Sequence, residues 1–312
     1  MFVMAKLFTF AKPTFAQMEN TNPRKQKKII LSRKGFDTAT GGIPNWIYEG
    51  RLISIPIPEA GTGVFYDDLQ FNENCSYLKV MRDFGVKCYS EAHLDPDISK
   101  HVLPKRPENW RPAFGQHGAA LSHLLQSKFA VKSGDLFLFF GWFKEIELHK
   151  GRFRYVKQAK DIHQIFAWLE IGEIIPVPST KYPNFLNRHP HVVFENEYER
   201  GNNAIFVASE KSSWFQEAAG AGLFKYHPSL TLSYTETESY KRSLWKLPNV
   251  FFKKGQCVLS YHEAREGQRQ AGLKGSKLLQ SVARGQEFIA PASKGITQWV
   301  LSLQKQIVHE KT

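Results

Sequence analysis

The amino-acid sequence predicts an α+β protein with a β-rich, barrel-like centre flanked by helices. Three observations carry that reading. Leu136–Phe143 (LFLFFGWF) and Ile165–Ile175 (IFAWLEIGEII) are apolar runs of strand length, bent by glycine, as expected of strands buried on both faces. Ala119, Ala120, Leu121, Leu124 and Leu125, and later Ile296, Trp299, Val300, Leu303 and Ile307, recur instead at the three-to-four spacing of a helix face. Hydrophobic residues make up 42% and aromatics 13% of the 312 residues, which is enough apolar surface for a full core.

Taken in order, Ile29–Ser32 is the first expected strand and leads into a loop from Arg33 to Gly42. Leu52–Ile57 is a second, with Pro56 and Pro58 placing it at an edge or an end. A strand at Val86–Tyr89 runs into Glu91–Asp97, and Pro104–Pro112 is a proline-punctuated loop. The Gly134-Asp135 turn launches Leu136–Phe143, followed by Phe153–Val156 and Ile165–Ile175; glycine at the bends predicts a curled sheet. Further strands are expected at Ala204–Ala208, Leu230–Tyr234, Val258–Tyr261 and Glu287–Ile289, before a closing helix from about Ser293. No repeat interrupts this order, and residues 29–309 read as one domain.

The totals narrow the function. Lys and Arg number 42 against 29 acidic residues, a formal charge of +13, and such an excess attracts polyanions, DNA and RNA first among them. Three dispersed cysteines without a CxxC argue against a disulfide framework or a thiolate zinc site and suit a reducing cytoplasm. No apolar run reaches the ~20 residues of a membrane helix, so no membrane partner is expected. Residues 1–28 read as a flexible lead, with Met18 a plausible natural start and MENTNPRKQKK a basic approach to the first strand.

Four constellations can carry chemistry. Ser32, Arg33 and Lys34, with Asp37 and the Gly41-Gly42 pair behind them, place cations and backbone donors just past a strand end, where a phosphate fits. His93, Asp95 and Asp97 alternate in an extended segment, so three ligating or acid–base groups can share one face. With Asp95 and Asp97 as oxygen ligands, Mg²⁺ or Mn²⁺ is the expected ion. Arg106, Trp110, Arg111 and Gln116 interleave cations with an aromatic ring and an amide, a pattern suited to stacking on a base and pairing with phosphate. Arg284 and Gln286 open a late strand and can read a planar ligand or form ion pairs. Each has a blander reading: a solvated turn, a capped Asp-Pro-Asp turn, a core-anchoring tryptophan, a structural ion pair. His189, His191 and His227 lie in loops among prolines and are read as structural or solvated. Nucleophile elbows, zincin helices, EF-hands and kinase motifs are all missing.

The blocks IILSRKGFDTATGG, HLDPD, KRPENWRPAFGQHGAA, GDLFLFFGWF, IFAWLEIGEII, NNAIFVAS, RSLWKLP, LSYH and SVARGQEF resemble the third nucleotide-modification-associated domain family, over about Ile29 to Trp299. At Ala264-Arg265-Glu266 the chain departs from the family pattern, which sets an Arg-Trp pair there, so no stacking role is read at that segment. The resemblance implies a link to modified nucleotides or DNA bases and no particular reaction. Three functions follow as alternatives. One is an enzyme in which Arg33 and Lys34 hold phosphate, Asp37, His93, Asp95 and Asp97 supply acid–base or metal chemistry, and Arg106, Arg111 and Gln116 position a base. The second is a reader of modified nucleic acid that stacks on Trp110 or Trp142. The third is a scaffold bound to other proteins of a DNA-modification or phage-defence system.

The charge alone yields a prediction. Fluorescence anisotropy at three salt concentrations should show nucleic-acid binding that weakens with a slope of about −0.9 in log K per phosphate neutralised on duplex DNA. Absence of binding at low salt would leave free nucleotides as the partner class.

Overall fold

A computed structural model describes residues 26–86, 89–126, 128–198, 202–238, 240–270, 273–283 and 285–309. Most of the expected lead, part of the strand expected at Val86–Tyr89, and Arg284 lie outside the described residues.

One ten-stranded sheet organises the chain, and its long strands explain its shape. In chain numbering its main path runs β18 (Glu287–Pro291), β1 (Lys28–Arg33), β9 (Leu136–His149), β11 (Ile162–Pro176), β12 (Asn203–Ala208), β8 (Ala113–His117). Only the β1–β9 step on this path is parallel. β9 and β11 are long enough to serve different neighbours at their two ends. β9 pairs with β1 through Leu136–Phe140 and then, in parallel, with β2 (Asn45–Tyr48), which carries β3 (Arg51–Ile53). β10 (Arg152–Tyr155) folds back on its far end. β11 pairs with β9 first and then passes to β12, with β13 (Ala221–Leu223) on its other side. Register shifts at Ile165/Ala167 and Ile171/Glu173 add local twist to β11, and the sheet curls into a half-barrel.

Short ribbons decorate this frame. β4 (Ile57–Pro58) pairs with β7 (Ala92–His93), and β5 (Gln70–Asn72) with β6 (Cys75–Ser76). β14 (Leu244–Pro248) pairs with β17 (Ser276–Gln280), and β15 (Phe252–Lys253) with β16 (Gln256–Cys257). Among the described residues four α-helices complete the fold: α1 (Tyr77–Asp83), α2 (Gly118–Leu125), α3 (Pro190–Val193) and α4 (Lys294–Ser302). Ser293 caps α4 by accepting from the Ile296 N–H. Among the described residues no helix is long and apolar enough to cross a membrane.

The β-rich α+β prediction holds, and the two apolar runs are its central strands. Both are longer than their apolar stretches, because β9 continues as KEIELH on a half-exposed edge. Two expectations fail locally. Leu230–Tyr234 begins in a 3-10 turn and meets β11 and β14 only through single bridges at Thr231 and Ser233. Val258–Tyr261 forms no strand, since Ser260 is drawn out to bond the backbone of Ile289 in β18 and the chain turns at Tyr261, φ 62°. Leu52–Ile57, expected as one strand, is split into β3 and β4, and among the described strands β3 pairs only with β2, at the sheet edge its prolines suggested.

The loop after β1 is held by one buried amide. Asn45 Oδ1 accepts from the Ile55 N–H (2.7 Å) and the Phe36 N–H (3.3 Å), while Nδ2 donates to the carbonyls of Trp142 (2.8 Å) and Phe36 (3.1 Å). The residue is fully buried. Gly41 lies flat on the Phe36 ring, where a Cβ would stand 2.1 Å from a ring carbon. Replacing Asn45 by Asp keeps the shape but turns two carbonyls against a carboxylate. The loss should be about 3 kcal/mol, read from urea denaturation at pH 7.

Candidate functional site

The most concentrated polar cluster is built by four segments around one carboxylate. β7 ends at His93, and the Asp95 N–H closes a tight turn on the His93 carbonyl (2.8 Å) just before a cis Asp95–Pro96 peptide. β8 passes alongside, and the Gly115 N–H donates to Asp95 Oδ1 (2.8 Å). The glycine matters here: a Cβ on it would meet the His191 ring at 2.2 Å. His191 itself comes from α3, a single turn with Pro190 in its first position. The fourth segment is the start of β12, where Asn203 pairs with His117 of β8.

The hydrogen bonds define which ring nitrogens carry protons. Asn203 Nδ2 donates to the His191 carbonyl (3.2 Å), so its Oδ1 must accept, and His191 Nδ1 donates to it at 2.6 Å. His93 Nδ1 is likewise held, by the Glu59 carboxylate. The Nε2 atoms of both rings then face the same oxygen, Asp95 Oδ2, at 3.6 Å from His93 and 3.8 Å from His191. His189 differs: its Nδ1 accepts from the His191 N–H (3.3 Å), so its proton sits on Nε2, 3.5 Å from Asp95 Oδ1.

The electrostatics follow from this arrangement. Asp95 is fully desolvated, which alone would raise its pKa, but the His189 and His93 rings hold it well below the usual carboxylate range. Burial would lower His93, yet the Asp95 and Glu59 carboxylates win and raise it to about 9. Burial dominates at His191 and lowers it to about 3 against the pull of Asp95. A neutral His191 protonated on Nδ1 presents a bare Nε2 lone pair to a carboxylate, a contact that is repulsive unless a cation stands between them. Together, His93, Asp95 and His191 offer three ligand atoms within 4.8 Å of one another. An ion with bonds of about 2.1 Å closes that span with small side-chain shifts. Outside the cluster, His117 stacks on Tyr198 at 4.2 Å, and both rings lie within 5.7 Å of His191. Glu59 is one-third exposed, so this edge of the cluster lies nearest the surface.

The other sequence-predicted residues fall into separate groups. Asp97 lies beyond the cis peptide, where its backbone pairs with Ala113 and its carboxylate turns from Asp95 to Arg106 Nη1 (2.6 Å) and Trp110 Nε1 (3.2 Å). Arg106 stacks over Trp110 at 4.6 Å, and Arg111 donates to the Ala208 carbonyl. Ser32, Lys34 and Gln116 all donate to one oxygen of buried Glu287, at 3.1, 3.3 and 2.7 Å, with Gln286 Oε1 3.5 Å from Gln116. Arg33, on the opposite face of β1, donates to the carbonyls of Val282 and Ala283. Asp37 caps its own turn through the N–H groups of Ala39 and Thr40. The expected trio is thus divided: His93 and Asp95 meet, Asp97 forms an ion pair, and His191 takes the third place in the cluster. That histidine carries one usable signal, a His-Pro-His sequence whose proline seats the second ring at the start of a helical turn.

The close fit over Gly115 is testable. Gly115→Ala should force the His191 ring aside and lower stability by about 1–3 kcal/mol in urea denaturation, the usual range for overpacking.

The sequence signature described as nucleotide modification associated domain 3 matches residues 28–291. No curated protein and no solved structure matches the chain. The matched segment begins with β1 and ends on the last residue of β18, so it contains the whole ten-stranded sheet and each of the polar groups above. On that coverage the chain belongs to the nucleotide modification associated domain 3 family.

Proposed function

We propose that this domain acts on a nucleotide or nucleic-acid base with a divalent transition-metal ion held by His93, Asp95 and His191. The observation that carries the reading is the convergence of two imidazole Nε2 atoms on one Asp95 oxygen, with each ring's other nitrogen tied back to Glu59 or Asn203. Ligating histidines are ordinarily oriented in this way by a second partner. Two nitrogens and one oxygen favour Mn²⁺, Fe²⁺ or Zn²⁺ over Mg²⁺, which prefers an all-oxygen shell. Family membership and the charge of +13 support a nucleotide or nucleic acid as the molecule acted upon.

Such an ion keeps open positions and supplies a polarised water or a seat for a substrate oxygen. The chain's own residues do the rest. Asp95 and the two imidazoles fix the centre, and Gly115 lets β8 approach it closely. His117 and Tyr198 line the accessible side, where they can orient a substrate and exchange a proton with it. Lys34 and Gln116, both on Glu287, stiffen the neighbouring face of β8.

Metal content separates this reading from the alternatives. Protein reconstituted with Mn²⁺ or Zn²⁺ and desalted should retain one ion per chain by elemental analysis. Asp95→Asn should lose it, while Asp97→Asn, whose partner is Arg106, should keep it. Retention by neither wild type nor Asp97→Asn, or equal retention by all three, would remove the metal from the mechanism.

A further inference from the structure

A chamber of about 320 Å³ adjoins the cluster, between the Pro104–Pro112 loop and the segment that leads into α3. Trp110 and Phe185 supply ring surface to it, Asn184 and Asn187 supply amides, and Lys105, Arg106, Arg111 and Arg188 bring four cations against one carboxylate, Asp97. Among the described residues, eight buried side-chain polar atoms lack a hydrogen-bond partner. Two of them, Arg106 Nε and Arg111 Nε, belong to side chains that line this chamber, while a third, His189 Nε2, lies in the same wall but faces Asp95 Oδ1 at 3.5 Å. A larger cavity of about 620 Å³, along Leu52, Phe71, Phe166 and the Asp95–Asp97 turn, has none of the eight in its lining. Buried donors without partners cost free energy unless a ligand satisfies them, so their concentration at one chamber marks a place built to be filled.

We propose that this chamber binds a nucleoside 5′-monophosphate unit and so presents it to the ion site, an inference that rests on the proposed function and names its substrate. The volume suits one nucleotide and excludes a paired base within a duplex. Among the described residues Arg111 has no carboxylate partner; it spends one donor on the Ala208 carbonyl, and its Nε has no partner among them and could turn to a phosphate oxygen. The base lies between Trp110 and Phe185, with Asn184 and Asn187 offering donors and acceptors to its edge. His189 joins chamber and cluster: it lines the first, and its Nε2 stands 3.5 Å from Asp95. The His189 ring is thus the wall between the chamber and Asp95, whose own surface lines the larger cavity.

The unit can come as a free nucleotide or as an unpaired nucleotide within a strand, and titration calorimetry distinguishes the two. The probes are the four deoxynucleoside 5′-monophosphates, the matching deoxynucleosides, inorganic phosphate and a single-stranded pentanucleotide. At least one monophosphate should bind at least tenfold more tightly than its nucleoside and than phosphate. Arg111→Lys and Trp110→Phe should each weaken it at least fivefold while the folded protein retains the metal. A pentanucleotide that binds more tightly than the monophosphates, with the same sensitivity to both variants, assigns the unit to a strand; weaker binding assigns it to the free pool. No monophosphate binding at millimolar concentration, or binding indifferent to both variants, overturns the chamber. Metal retention is measured on the same samples, so Asp95→Asn protein that lacks the ion yet still binds nucleotide would leave the chamber standing while separating it from the metal.

Discussion

A desolvated carboxylate is among the most expensive groups to bury, and Asp95 is where this protein meets that cost. The carboxylate survives because the surrounding chain is arranged to face it with polar groups: the Gly115 backbone N–H, the His189 ring and the His93 ring. Those partners come from β7, β8 and the entry to α3. Meeting one charge thus fixes how three remote segments lie against one another. Asn203 extends the constraint to β12 by gripping the ring and the carbonyl of His191.

The alternation of side chains along β8 then sorts the polar residues into compartments. Gly115 and His117 belong to the Asp95 side. Phe114 and Gln116 point the other way, Phe114 into the rings of Phe137, Phe139 and Phe206 and Gln116 onto Glu287. Glu287 gathers Ser32, Lys34 and Gln116 on one oxygen, so the cations expected to meet a phosphate are in part spent on an internal carboxylate. Arg111, without a carboxylate partner among the described residues, bonds the Ala208 carbonyl instead.

Local pattern was enough to read much of the fold. β9, β11, β12, α2 and α4 each carry a period or an apolar run that no competing structure satisfies as well. Leu230–Tyr234 and Val258–Tyr261 carry strand-like composition, but their neighbours are irregular segments and single bridges, which composition does not reveal. The site divides in the same way. His93 and Asp95 are two residues apart, and spacing brought them together; Asp97 sits at the same interval, but Arg106 and Trp110, nine and thirteen residues on, claim it. His191 reaches Asp95 only through the sheet order that sets β12 beside β8. A pairing made by topology leaves no mark in either segment alone.

The position of β1 has a kinetic meaning. It lies between β9, more than a hundred residues downstream, and β18, at the far end of the family segment. Synthesis must therefore run on through β18, in the closing part of the family segment, before this strand can acquire its second neighbour. Until then its Ile-Ile-Leu edge is open to other strands, and high contact order makes the closing step slow. The final antiparallel pairing acts as a latch on the whole sheet, which ties productive folding to the arrival of the last strand and makes early release or C-terminal truncation a route to aggregation rather than to a smaller stable domain.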